Sequence, residues 1–308
     1  MSSFASRIAV LSHGLGPAPV TRFAPSPTGF LHLGHVVNAV FVWGIARAAG
    51  GRVRLRIEDH DRVRCTPAFE AALLEDLDWL GFVPDDGRHP VARQCDRDAR
   101  YRGAVERLLG EGHVYACACS RREIGGPRYP GTCRDKGLVA GAGLGLRVRL
   151  PEGAIAIDDR LSGSREEHTS DEFGDTLLVD RNGQWTYQFA VTVDDMMDGI
   201  TLVIRGEDLS TSTGRQLVLA RLLGRQTPPV FVHHPLVVKD TGQKLSKSAG
   251  DTGVRDLRAA GATPAWVIGA AAAAVGLVEP GAELAVDAIP DLFRPRGPGA
   301  DRGRLPVP

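Results

Sequence analysis

The sequence predicts an α/β fold built on a parallel sheet with crossover helices. Short runs rich in Val, Ile and Leu alternate with longer stretches of helical apolar spacing, and glycines mark the joints between them. Strand, helix, strand and helix follow one another through the first half of the chain. With 43% hydrophobic and 24% charged residues among 308, the composition is that of an ordinary globular chain able to bury a core.

Residues 1–19 are rich in Ser, Gly and Pro and read as loosely ordered. Val20 to Ala24 reads as a strand, followed by a Pro-Ser-Pro-Thr-Gly turn at 25–29. A helical pattern then runs from Leu33 to Ala49 and closes at Gly50 and Gly51. Arg52 to Ile57 alternates as a strand, and Pro67 to Leu80 is an amphipathic helix ended by Gly81. A helix over Arg97 to Leu109 and a strand over His113 to Ala116 lead into a cluster of cysteines.

In the second half, Leu177 to Val179 and Trp185 to Ala190 flank Arg-Asn-Gly-Gln and read as a hairpin. Leu202 to Arg205 is a strand, Ser212 to Leu223 a helix and Val230 to Val238 a strand, with two helical segments at 254–260 and 264–277. The apolar stretch from Ala265 to Val278 is too short to span a bilayer, and Thr263 and Pro264 before it suit a helix start. The N-terminus carries no export signal, so the expected location is cytoplasmic, with no membrane partner.

Lys+Arg and Asp+Glu both number 37, which leaves no net charge and excludes binding to nucleic acid through bulk charge. Nearly all the basic residues are arginine; lysine occurs only at Lys136, Lys239, Lys244 and Lys247. Two of these fall in Lys244-Leu-Ser-Lys-Ser248, where mobile point charges suit a phosphate chain. A second phosphate candidate is His32-Leu-Gly34-His35, at the junction of a strand and a helix N-terminus. Its two histidines can face the same side of the first turn, and Gly34 leaves room for a flat ring. Spacing alone also allows two surface histidines there.

Together these stretches resemble the two signatures of class I aminoacyl-tRNA synthetases. Longer stretches resemble glutamyl-tRNA synthetases: Arg22-Phe-Ala-Pro-Ser-Pro-Thr-Gly29, Arg56-Ile-Glu-Asp-His-Asp61, Val193-Asp-Asp195 and Ile204-Arg-Gly-Glu-Asp-Leu209. The resemblance covers roughly residues 20 to 250. It implies a Rossmann-type catalytic domain, ATP with Mg2+ as co-substrate, and an amino-acid pocket at Arg22, Ser26, Glu58, Tyr187 and Arg205. Two cations and one anion match the charges of free glutamate, and an arginine fork pairs with a carboxylate as it cannot with an amide. His32, His35, Lys244 and Lys247 are then the expected catalytic residues, with His32, Gly34, His35 and Lys247 on the nucleotide.

Cys117, Cys119 and Cys133 lie within one short stretch and suit tetrahedral Zn2+. Spacing leaves the fourth ligand open, with His113 an ordinary candidate. A tyrosine at the place of Tyr129 is what the short glutamyl-Q tRNA(Asp) synthetases of the same family show. Only sixty residues follow Ser248, too few for the helical anticodon-binding domains of glutamyl-tRNA synthetases. On that resemblance the acceptor is the queuosine of tRNA(Asp). Separately, the protein is expected to be a monomer. Two rival readings are a truncated enzyme charging the tRNA 3′ end and a non-catalytic tRNA-binding paralogue.

The resulting division is a flexible stretch at 1–19, the first half of the catalytic domain at 20–112, an inserted zinc-binding acceptor subdomain at 113–175, and the second half at 176–250. A short helical segment at 251–285 and a disordered tail at 286–308 complete it.

Overall fold

The computed structural model describes residues 7–8, 10–87, 91–237 and 253–294. Its strands are β1 (Val20–Phe23), β2 (Arg52–Ile57), β3 (Ala92–Arg93), β4 (Val114–Cys117), β5 (Gly145–Val148), β6 (Ile155–Asp159), β7 (Gly163–Glu167), β8 (Thr176–Val179), β9 (Leu202–Gly206) and β10 (Val230–His234). The helices used below are α1 (Leu33–Ala48), α2 (Pro67–Leu80), α3 (Asp98–Gly110), α4 (Arg121–Ile124), α5 (Thr169–Glu172), α6 (Tyr187–Met197), α7 (Thr213–Leu222), α8 (Val254–Ala259) and α9 (Pro264–Ala274).

β1, β2 and β3 pair in parallel, as do β9 and β10. β1 meets β9 through Thr201, whose N–H donates to the Val20 carbonyl at 2.9 Å, while Val20 N–H donates to Thr201 Oγ1 at 3.0 Å. The lateral order is therefore β3, β2, β1, β9, β10, the arrangement of a doubly wound nucleotide-binding sheet. Its switch point falls between β1 and β9, where such folds place their ligands.

α1 is apolar on nearly every side, and it is buried accordingly. One side packs on the parallel strands. The other meets α9 and a 3-10 segment, Val286–Phe293. Gly44 makes that second contact possible, because a Cβ there would stand 2.2 Å from the Phe293 ring. α2 starts at Thr66, whose hydroxyl accepts from Phe69 N–H, and stops at Gly81 with φ of 83°.

Several expectations need correction. The stretch Trp185 to Ala190 is not the second strand of a hairpin. Val179 and Trp185 form one isolated bridge, after which α6 begins, because Phe189, Ala190 and Val193 fall on one buried helical face. β10 ends at His234, where Pro235 follows. The tail expected over 286–308 is structured through Phe293, with Ile289 and Phe293 fully buried. Within 1–19, Ile8, Leu11 and Leu15 are buried in the same core, and Ser12 Oγ donates to the Phe293 carbonyl at 2.8 Å.

The stretch 113–175 is also divided. β4 and β5 pair with β8 in an antiparallel sheet, whereas β6 pairs with β10 and β7 at the edge of the parallel sheet. Among the described residues, no helix is long and apolar enough to cross a membrane.

Candidate active site

A cavity of about 430 Å³ opens at the carboxyl ends of β1 and β9. Arg22, Ser26, His32, Gly34, His35, Glu58, Tyr187 and Arg205 all line it, so one space gathers eight residues spread over 183 positions of sequence. Lys244 and Lys247 lie outside the described residues. The chain on either side of them borders the same space: Val237 lines the cavity, and Gly253 bridges to His32.

Local capping sets the two histidines. His32 is the N-cap of α1, and its Nδ1 accepts from Gly34 N–H at 3.1 Å. His35 Nδ1 accepts from His32 N–H at 3.1 Å, and the rings lie 4.0 Å apart. Both Nδ1 atoms therefore hold lone pairs, so each imidazole carries its proton on Nε2. Two ring donors beside a helix N-terminus are chemistry that suits an anion.

The arginines are held by different means. Arg22 Nε donates to Asp195 Oδ1 at 3.0 Å, and its Nη1 to the Ile204 carbonyl at 3.2 Å. Arg56 bridges Asp195 at 2.8 Å and Glu58 at 3.0 Å, which fixes Glu58 at the wall. Burial opposes the charge on Arg56, but Asp195, Glu58 and Asp194 outweigh it and hold its pKa well above the ordinary value. Asp194 is bound in turn by Arg97 at 2.7 Å, Tyr101 at 2.8 Å and Gln94 at 2.9 Å.

Arg205 differs. Its Nε donates to His233 Nε2 at 3.1 Å, Nη1 to Gln216 Oε1 at 2.8 Å and Nη2 to Thr213 Oγ1 at 2.9 Å; the Tyr187 hydroxyl lies 3.5 Å from Nη1. Burial, and then Arg22, push its pKa down. The supports Asp195, Arg56, His233 and Asp159 were not among the expected site residues. Only the Val-Asp-Asp and Arg-Ile-Glu-Asp stretches hinted at the first two.

A second cluster stands apart. The Sγ atoms of Cys117, Cys119 and Cys133 lie within 4.8 Å of one another, and Cys119 and Cys133 are 3.6 Å apart. The Tyr129 hydroxyl is 3.4 Å from Cys117 Sγ and accepts from Cys133 N–H at 2.8 Å. His113 sits at the other end of β4 from Cys117, roughly 13 Å away at the usual strand rise, and pairs with Glu111 instead.

Burial works against ionising Cys133, yet Ala118 N–H and the neighbouring Cys119, Tyr129 and Cys117 bring its thiol down to about 7. Arg147 Nε lies 3.4 Å from Cys117 Sγ. This donor set fits a zinc ion.

Comparison with known proteins decides the family. The model of the class I tRNA synthetase (E and Q) catalytic domain matches residues 19–272. A glutamyl-Q tRNA(Asp) synthetase of Burkholderia cenocepacia is 42% identical over 87% of this chain and 91% of its own length. The chain belongs to the glutamyl-Q tRNA(Asp) synthetase family.

Another member of the family, from Rhodobacter capsulatus, is 43% identical over 80% of this chain and 97% of its own length. Among solved structures, a glutamate tRNA ligase of Elizabethkingia meningosepticum in complex with its amino acid superposes with a TM-score of 0.72 at 28% identity. That match covers 82% of this chain, which spans 60% of the ligase's length. Membership makes the chain a ligase on an α/β class I synthetase fold.

Proposed function

We propose that the chain activates glutamate with ATP and passes the glutamyl group to the queuosine of tRNA(Asp). The observation that carries this reading is the gathering of Arg22, Arg205, Glu58, Tyr187 and Ser26 around one cavity beside the His32–His35 edge. The cations answer the two carboxylates of glutamate and Glu58 answers its ammonium; glutamine, with an amide in place of one carboxylate, would leave buried charge unmatched.

In the proposed reaction an oxygen of the glutamate α-carboxylate attacks the α-phosphorus of ATP, and pyrophosphate leaves. A carboxylate is ionised at pH 7 and needs no general base. His32 and His35 donate from Nε2 to phosphate oxygens, while Gly34 admits the nucleotide ring. Lys244 and Lys247, on the segment whose flanks border the cavity, meet the charge that builds on the leaving pyrophosphate. Mg2+ carried by the triphosphate supplies further charge neutralisation. The glutamyl-adenylate then gives its acyl group to a hydroxyl of the acceptor, releasing AMP.

Cys117, Cys119, Cys133 and Tyr129 would hold zinc in a structural role, tying β4 to the loop that carries Tyr129 and Cys133. The acceptor is that of the relatives, glutamyl-Q tRNA(Asp) synthetases 42% and 43% identical to this chain. Labelled glutamate offered with tRNA(Asp) that carries or lacks queuosine tests it. Labelling of the queuosine form alone is expected, and equal labelling of both, or labelling at the 3′ end, overturns the acceptor.

A further inference from the structure

Arg205 is a buried cation whose hydrogen-bond partners among the described residues are all neutral. Only 4% of its surface is exposed, and among the described residues no carboxylate forms an ion pair with it. A guanidinium in that position would ordinarily be neutralised by a neighbouring acid, as Asp195 does for Arg22.

The partner of its Nε is the ring of His233, on β10. An Nε–H can only donate, so His233 Nε2 must hold a lone pair and the ring proton must sit on Nδ1. That proton is directed at Asp159 Oδ2, 2.6 Å away on β6. The same oxygen accepts from His233 N–H at 3.0 Å, while Asp159 Oδ1 is fixed by Leu161 N–H at 2.9 Å and by Ser162 N–H at 2.7 Å. The carboxylate therefore cannot turn, and the imidazole cannot take the other tautomer without losing its bond.

We propose that Asp159 and His233 form a positioning relay for Arg205, in which the aspartate fixes the imidazole as a neutral acceptor. The imidazole aims the guanidinium into the cavity without neutralising it. This deepens the glutamate reading and rests on it: the charge left unspent on Arg205 is available to a substrate carboxylate. An acidic residue in place of His233 would orient the arginine equally well and cancel the charge.

The charged and titratable groups facing the ring are Asp159 from β6, Arg165 from β7, and Arg205 from β9 with Tyr187 of α6 beyond it; the Thr213 hydroxyl also lies 3.3 Å from Nε2 and can donate to the same lone pair. Burial first, and then Arg205 and Arg165, disfavour its protonation against the pull of Asp159, in the same direction as the lone pair that the Arg205 Nε–H requires at Nε2.

Two measurements test the relay on the full chain. In glutamate-dependent ATP–pyrophosphate exchange, His233→Phe should raise the KM for glutamate about 10- to 100-fold, the equivalent of one lost hydrogen bond to a charged group. The KM for ATP should stay within about twofold, and His233→Gln, which keeps a neutral acceptor, should restore most of the loss. Unchanged glutamate KM in His233→Phe, a parallel rise in the KM for ATP, or no rescue by His233→Gln each overturns it.

Because His233→Phe strands Asp159 and risks misfolding, the second measurement uses wild-type protein without substrate. Nitrogen-15 NMR of labelled histidine, assigned through His233→Gln, should show His233 protonated at Nδ1 and bare at Nε2. The opposite tautomer or an imidazolium at pH 7 overturns the relay. A wild-type protein that exchanges no pyrophosphate with glutamate would instead sink the proposed function, and the tautomer would still judge the relay.

Discussion

Arg22 on β1 and Asp195 on α6 stand 173 positions apart in the chain and form a buried ion pair at 3.0 Å. Asp195 also takes Arg56 at 2.8 Å, so one carboxylate holds two cations from adjacent parallel strands. Burial works against its charge, but Arg22 and Arg56 outweigh that and keep its pKa below the ordinary carboxylate value.

Asp195→Asn leaves two buried guanidiniums short of a counter-charge. The expected cost is about 3–5 kcal/mol of folding stability, the usual range for breaking a buried pair on one side. Denaturant unfolding at pH 7 measures it. A loss under about 1 kcal/mol would show that the network is not load-sharing in this way.

Asp76 of α2 is buried, and burial raises its carboxyl to about 6. The folded value lies above the unfolded one of roughly 4, so folding favours the protonated form. The associated penalty is absent below pH 4, grows between pH 4 and 6, and is complete at pH 7. Asp76→Asn should therefore stabilise the protein at pH 7 by roughly 2 kcal/mol, from a shift of about two units, and leave stability at pH 4 nearly unchanged. Thermal unfolding at the two pH values checks the sign.

Phe293 fills the space over Gly44 and is fully buried. Phe293→Ala should cost about 3–5 kcal/mol, as a core residue does and a tail residue does not. Chemical denaturation distinguishes these outcomes.

The thiol cluster should yield about one zinc per chain by elemental analysis. Cys133→Ser should lower that several-fold, and His113→Ala should not change it. Loss of zinc on His113→Ala would reassign the fourth ligand.

What the sequence made legible was local. His32, Gly34 and His35 could be read because a strand, a Pro-rich turn and a helix start follow within a few residues, and that local order fixes where the rings point. The strands and helices of the first half were legible for the same reason: Thr66, Pro67 and Gly81 punctuate α2 in the chain itself.

Asp159 and His233 were not legible, because 74 positions separate them and only the pairing of β6 with β10 brings them together. Trp185 to Ala190 misled through its aromatic and β-branched content, which tertiary burial turned into a helix face. The segment Val286–Phe293 hid among prolines. Its two apolar anchors, Ile289 and Phe293, have meaning only against α1.

ATP–pyrophosphate exchange with each of the twenty amino acids, in the absence of tRNA, bears most directly on the pairing of a two-arginine pocket with a histidine-edged phosphate site. Glutamate alone is expected to support exchange, with glutamine at least roughly a hundredfold weaker, as a site built for a charged group rejects a neutral one. Equal exchange with glutamine, or none with glutamate, would contradict it.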